Sequence, residues 1–187
     1  MAAEDARVPA KNTRVVEVDG GAPAPDARVL LIGYGNPARG DDGLGPALAA
    51  AVAGLDLEGV TVETDYQLQV EHAADAADYD VVIFVDADME GSGSFRFRRL
   101  EPKSELSFTS HSVSPAGVLG LARELFSARS RGYLMGIRGH AFGEFAEGLS
   151  EEARHNLSSA LAFMETALRT RSFPETAHPD EPVLAPG

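Results

Sequence analysis

Asp41 and Asp42 stand side by side after a glycine-bearing loop, Gly33-Tyr34-Gly35-Asn36-Pro37-Ala38, that continues through Arg39-Gly40. An apolar run precedes the loop and an alanine-rich stretch follows it, so residues 33–38 match a relaxed dinucleotide-binding fingerprint, in which glycines let backbone approach a pyrophosphate. The rest of the loop opposes that use. Pro37 removes one amide, and two carboxylates occupy the positive end of a helix, where phosphates would have to sit. A phosphate-binding P-loop is also excluded, because Gly35 to Gly40 is followed by two aspartates rather than Lys-Ser/Thr. An acidic pair in this position prefers a cation. Capping of the helix start accounts for one aspartate. Capping does not account for both, nor for the glycines at 40, 43 and 45, which suggest a backbone folded tightly around something.

Asp86 closes a second apolar run, Val81-Val-Ile-Phe-Val85. In open parallel sheets ligands bind beyond the carboxyl ends of the strands, where neighbouring crossovers leave in opposite directions. If the strands leading to residues 33 and 86 are neighbours, Asp42 and Asp86 emerge together. Two close carboxylates repel and raise each other's pKa unless a cation neutralises them. A nitrogen ligand would complete such a site, and His111 in Thr109-Ser110-His111-Ser112 lies before a helix at the same sheet edge. His140, in Gly139-His140-Ala141, is the rival from a comparable loop, whereas His72, His155 and His178 read as two helix surfaces and a disordered tail. A lone loop histidine is more often a hydrogen-bonding residue than a ligand, so His111 is only favoured. Two carboxylates and one imidazole would suit nickel, zinc, manganese or iron.

The elements that must position these residues alternate between strand and helix patterns. Arg28 to Gly33 and Asp80 to Asp86 read as buried parallel strands, Val60 to Asp65 as an alternating strand, and Tyr133 to Arg138 as another short one. Phe95 to Leu100 has period two and basic residues, the pattern of an edge strand. Helical stretches are expected over 43–54 and 70–78. A third helix starts at Ser114-Pro115, with Val118, Leu121, Ala122, Leu125 and Phe126 on one face, and a fourth at Ser150, carrying Leu157, Leu161, Met164 and Leu168. The expected fold is α/β, a three-layer α/β/α arrangement around a mostly parallel sheet. Residues 1–27 read as a flexible N-terminal extension, 28–171 as the folded domain, and 172–187 as a proline-rich tail without regular structure.

Bulk properties narrow the function further. The 187 residues suit one domain with a sizeable core. Zero cysteines removes thiol nucleophiles, thiolate metal sites and disulfides together. A net charge of -13 argues against nucleic acid or an anionic membrane as partner. The N-terminus lacks the pattern of a secretory leader and no apolar run approaches the ~20 residues of a membrane span, so a cytoplasmic location is expected. Neither a Gly-x-Ser-x-Gly elbow nor a His-Glu-x-x-His helix occurs.

At three places the chain resembles the nickel-iron hydrogenase maturation endopeptidases. These are Leu30-Leu-Ile-Gly-Tyr-Gly-Asn36 running into Asp41-Asp42-Gly-Leu-Gly45, Val85-Asp86-Ala87 at a strand end, and Ser110-His111 followed seven and eight residues later by Val118-Leu119. The resemblance implies a hydrolase of α/β/α fold that removes the C-terminal extension of a hydrogenase large-subunit precursor after nickel insertion. Asp42, Asp86 and His111 are then the metal-contacting and catalytic residues, and Asp41 is left to cap the helix. The nickel is carried by the substrate, and no organic cofactor is implied. In such a reaction Asp42 or Asp86 would act as general acid or base. Some members have Glu where Asp42 stands and a glycine-rich turn where this chain has Asp65-Tyr66-Gln67-Leu68; that segment and Gly136-Ile-Arg-Gly139 look more like members serving soluble, NAD-linked hydrogenases. Two alternatives stay open: a nucleotide-binding oxidoreductase using residues 33–38, and a non-catalytic metal-recognising chaperone.

Overall fold

The two apolar runs form the centre of the sheet. In the computed structural model, which describes residues 23–104, 113–143 and 148–178, they become β1 (Val29–Tyr34) and β3 (Val81–Asp88). Around them lie α1 (Leu44–Ala53), β2 (Val60–Asp65), α2 (His72–Ala77), β4 (Phe95–Leu100), α3 (Pro115–Phe126), β5 (Arg131–Arg138), α4 (Glu151–Thr170) and β6 (Thr176–Ala177). The sheet order is β2-β1-β3-β5-β4-β6. The first four are parallel, while β4 runs antiparallel to β5 and β6 antiparallel to β4.

Alternation along the central strands divides the core in two. Val29, Leu31, Val81, Ile83 and Val85 face one layer with Leu44, Leu48 and Val52 of α1 and Ala160, Met164 and Leu168 of α4. Leu30, Ile32, Val82 and Phe84 face the other, with Ala73 and Ala76 of α2 and Val118, Leu119 and Ala122 of α3. Each large side chain buried this way contributes about 1.5–3 kcal/mol. The three-layer α/β/α architecture follows, and no helix among the described residues is long and apolar enough to cross a membrane.

Three details depart from expectation. In α3 the buried residues are Gly117, Val118, Leu119, Gly120 and Ala122, while Leu125 and Phe126 are 69% and 51% exposed. Gly120 sets that face, because a Cβ there would lie 2.0 Å from the Lys103 carbonyl. Beyond Arg171 the chain does form regular structure: Thr176–Ala177 pairs with Phe97 and Arg98. Phe173 packs against Tyr133 at 5.5 Å between ring centroids and Arg99 binds Glu175 at 2.8 Å, so β4 is flanked on its outer side there. His72 is only 8% exposed, its Nδ1 accepting from the Gln69 amide at 2.9 Å.

Candidate active site

β1 pairs on one side with β2 and on the other with β3. The helix that follows β1 lies on one face of the sheet and α3, which follows β3 and β4, on the other. The boundary between β1 and β3 is therefore the switch point at which α/β sheets bind ligands. Gly33 aligns with Val85, so Tyr34, the last residue of β1, lies beside Asp86, two residues before the end of β3.

The loop after β1 returns to this point through tight backbone. Gly35 has φ 136° and a Cβ on it would meet the Asp42 carbonyl at 2.0 Å. A Cβ on Gly45 would lie 2.3 Å from the Tyr34 carbonyl and 2.5 Å from that of Val85. The glycine framing thus serves the close approach of the α1 start to the two strand ends, rather than wrapping around a ligand. Asp42, half-buried in the single 3-10 turn Asp41–Gly43, accepts from the Asn36 amide at 3.1 Å. Asn36 in turn accepts from the Ala38 amide at 3.0 Å. The amide that a pyrophosphate would most need is already held by a carboxylate.

Asp41 does not cap the helix; the 3-10 turn has no side-chain cap. Its side chain is fully buried and accepts from the amides of His140, Ala141 and Ser150, each at 2.7 Å, and from the Ser150 hydroxyl at 2.8 Å. Burial pushes its pKa up, but these hydrogen bonds to the charged form outweigh that and hold it below the ordinary aspartate value. The residue clamps three segments: the β1 loop, the chain after β5, and the N-terminus of α4, where Ser150 also caps Ala153 at 3.2 Å. The Gly40–Phe142 bridge and the Asp41 amide on the Ala141 carbonyl at 2.9 Å complete the clamp.

Asp86 lies in a different environment. Burial raises its pKa to about 6, with further upward pushes from the Asp42 and Asp88 charges. Hydrogen bonds from the Tyr34 hydroxyl and the Ala87 amide, the latter at 2.8 Å, oppose that rise. Burial, together with the Asp86 charge, moves the Tyr34 hydroxyl strongly upward, so it stays a donor. Asp88, two residues on, is committed elsewhere: it binds Arg96 at 2.6 and 3.0 Å and accepts from the Glu90 and Gly91 amides.

Asp42 and Asp86 are thus brought to one strand edge within electrostatic reach of each other. His111 lies outside the described residues. His140 follows β5, and its imidazole contacts Asn156 of α4 at 3.4 Å in a pocket shared with Glu151, Glu152 and His155. Among the described residues no group of three or more His, Asp or Glu could hold a metal ion. Two neighbours of Asp86 were not anticipated. Tyr34 was legible in principle, since it continues the alternation of Leu30 and Ile32 as Asp86 continues that of Val82 and Phe84. His178, assigned to a disordered tail, instead lines a groove with Asp86 because β6 anchors it.

No family model and no curated protein matches the sequence. Solved structures do match. The chain is similar to the nickel-iron hydrogenase maturation protease HycI from Thermococcus kodakarensis, with 24% identity, TM-score 0.62, and coverage of 76% of this chain and 93% of that one. It is similar to the hydrogenase 2 maturation peptidase from a Thaumarchaeota archaeon, with 27% identity, TM-score 0.57, and coverage of 75% and 97%. The hydrogenase maturating endopeptidase HybD from E. coli matches with 24% identity, TM-score 0.53, and coverage of 76% and 92%. The chain therefore has the fold of the hydrogenase maturation proteases, the family that its loop and strand motifs resemble.

Proposed function

We propose that this protein is an endopeptidase that removes the C-terminal extension from the precursor of a nickel-iron hydrogenase large subunit, recognising nickel already inserted in that substrate. The observation that carries the reading is the approach of Asp42 and Asp86 at the β1–β3 switch point, in a fold shared with proteins named as hydrogenase maturation proteases. The donor set fits a metal brought by the substrate. Two carboxylate oxygens at an open edge supply part of a coordination shell, and the substrate would keep the remainder.

In this scheme Asp42, fixed by the Asn36 amide, contacts the nickel and orients the segment to be cut. Asp86, part-buried with Tyr34 donating to its carboxylate, contacts the same ion and accepts a proton from the attacking water. His111 is assigned as the third contact on the motif resemblance alone. Positioning of the scissile bond by a substrate-borne ion would make cleavage conditional on nickel insertion. A charge of -13 disfavours nucleic acid and anionic membranes as partners, and the expected setting is the cytoplasm. Incubation with nickel-loaded and nickel-free precursor, followed by mass spectrometry, tests the reading. The account expects one shortened product from the loaded form alone; an unshortened precursor in both cases would support a chaperone instead.

A further inference from the structure

A groove of about 560 Å³ runs from Asp86 across the exposed upper part of the sheet to β6. Its floor includes Gly136, whose missing side chain lets Asp88 pack directly against the strand: a Cβ there would meet Asp88 at 3.2 Å. Its far wall carries Arg96, Arg98, Thr176 and His178. Arg96 is taken by Asp88 at 2.6 Å. Arg98, exposed, makes no ion pair and no side-chain hydrogen bond among the described residues. Its charge is nevertheless felt at the Tyr34 hydroxyl, the group that donates to Asp86. In a chain of net charge -13, an uncommitted arginine on the wall of this groove is a local reversal of sign, and guanidinium geometry matches a carboxylate with two donors.

We propose that this groove holds the substrate strand beside the cut, and that Arg98 forms a subsite for a peptide carboxylate. The proposal rests on the protease reading and names a specificity-determining residue for it. The register sets the distance. Asp86 aligns with Gly136, which aligns with Arg96, and Arg98 aligns with Leu134, so Arg98 lies two strands across and two residues back. At ~4.8 Å per strand and ~3.3 Å per residue the two Cα atoms are about 12 Å apart, the length of about three to four extended residues. The carboxylate recognised is therefore about three to four residues from the scissile bond, either an acidic side chain or the chain terminus of the substrate.

Two measurements test this. In cleavage of nickel-loaded precursor, R98Q is expected to raise KM about tenfold or more and leave kcat within about twofold, with R98K recovering most of the loss. In the second, three fluorescent hexapeptides are titrated against the full chain: one with a single Asp and an amidated end, one neutral with a free carboxylate, one neutral and amidated. Wild type should bind at least one of the first two and not the third, and R98Q should bind none; which of the two binds identifies the source of the carboxylate. Equal binding of the third peptide, no binding of either carboxylate peptide, or R98Q behaving as wild type would overturn the subsite. If wild type cuts the precursor while R98Q keeps its KM, the protease reading stands and the subsite falls. If wild type leaves the precursor whole, that reading falls and the titration alone decides the groove.

Discussion

The hydroxyl of Tyr34, at the end of β1, donates to the carboxylate of Asp86 on the neighbouring β3. Removing that donor without removing the ring, as in Y34F, takes away an interaction that favours ionised Asp86. Its pKa, already about 6 from burial, then rises further. A reaction that needs the carboxylate as base should lose activity at neutral pH and recover it in more alkaline buffer. The acid limb of the pH–rate profile is expected to move up by about one pH unit, the equivalent of one hydrogen bond of ~1.5 kcal/mol. An unmoved limb would separate Tyr34 from the proton transfer.

Stability and activity should diverge at Asp86. Its folded pKa of about 6 lies above the ordinary 3.8 because burial disfavours the charge. Between those values the folded protein holds a proton that the unfolded chain has released, so stability falls as pH rises through that window and the penalty is complete above it. D86N removes the charge, and at pH 7 it should stabilise the fold by about 1–3 kcal/mol, a gain of several degrees in Tm that disappears below about pH 4. Thermal unfolding at both pH values checks it.

Asp41 carries the opposite sign. Its pKa is held below the ordinary value by the groups that donate to it, so its contribution is present above about pH 4 and is lost as pH falls through the lower folded value. D41A strands the amides of His140, Ala141 and Ser150 together with the Ser150 hydroxyl. The expected cost is on the order of 3 kcal/mol or more at neutral pH, read from the denaturant midpoint. D41N, which keeps one acceptor oxygen and the side-chain shape, should lose less.

Gly35 ties the loop to the site. With φ 136° and a would-be Cβ 2.0 Å from the Asp42 carbonyl, G35A must displace the turn that carries Asp42. A loss of at least about 2 kcal/mol in stability is expected, together with loss of cleavage. Saturable NAD or FAD binding by the wild type, abolished in G35A, would instead revive the nucleotide-binding reading.

Much of this arrangement was legible before folding. Uncharged apolar runs ending in Tyr34 and Asp86 have to be central parallel strands, and their adjacency brings Asp42 to Asp86. Ser114 and Ser150 announced two helix starts, and both accept from the amide three residues on. What stayed hidden depends on partners far away in the chain. Asp41 looks like a cap in any local window, because the serine that binds it is 109 residues distant. The face that α3 buries follows from Gly120 lying against Lys103, not from apolar spacing. The strand at Thr176–Ala177 exists because Phe173 and Ala177 reach the core, which proline content alone does not reveal.

Cleavage of nickel-loaded large-subunit precursor by wild type, D42N and D86N, followed by intact-mass measurement, is the most direct test of the central claim. The account predicts one shortened product from wild type and at least a hundredfold slower cleavage by each variant, with both variants folded. Cleavage at the wild-type rate by both would place the chemistry somewhere other than the Asp42–Asp86 pair.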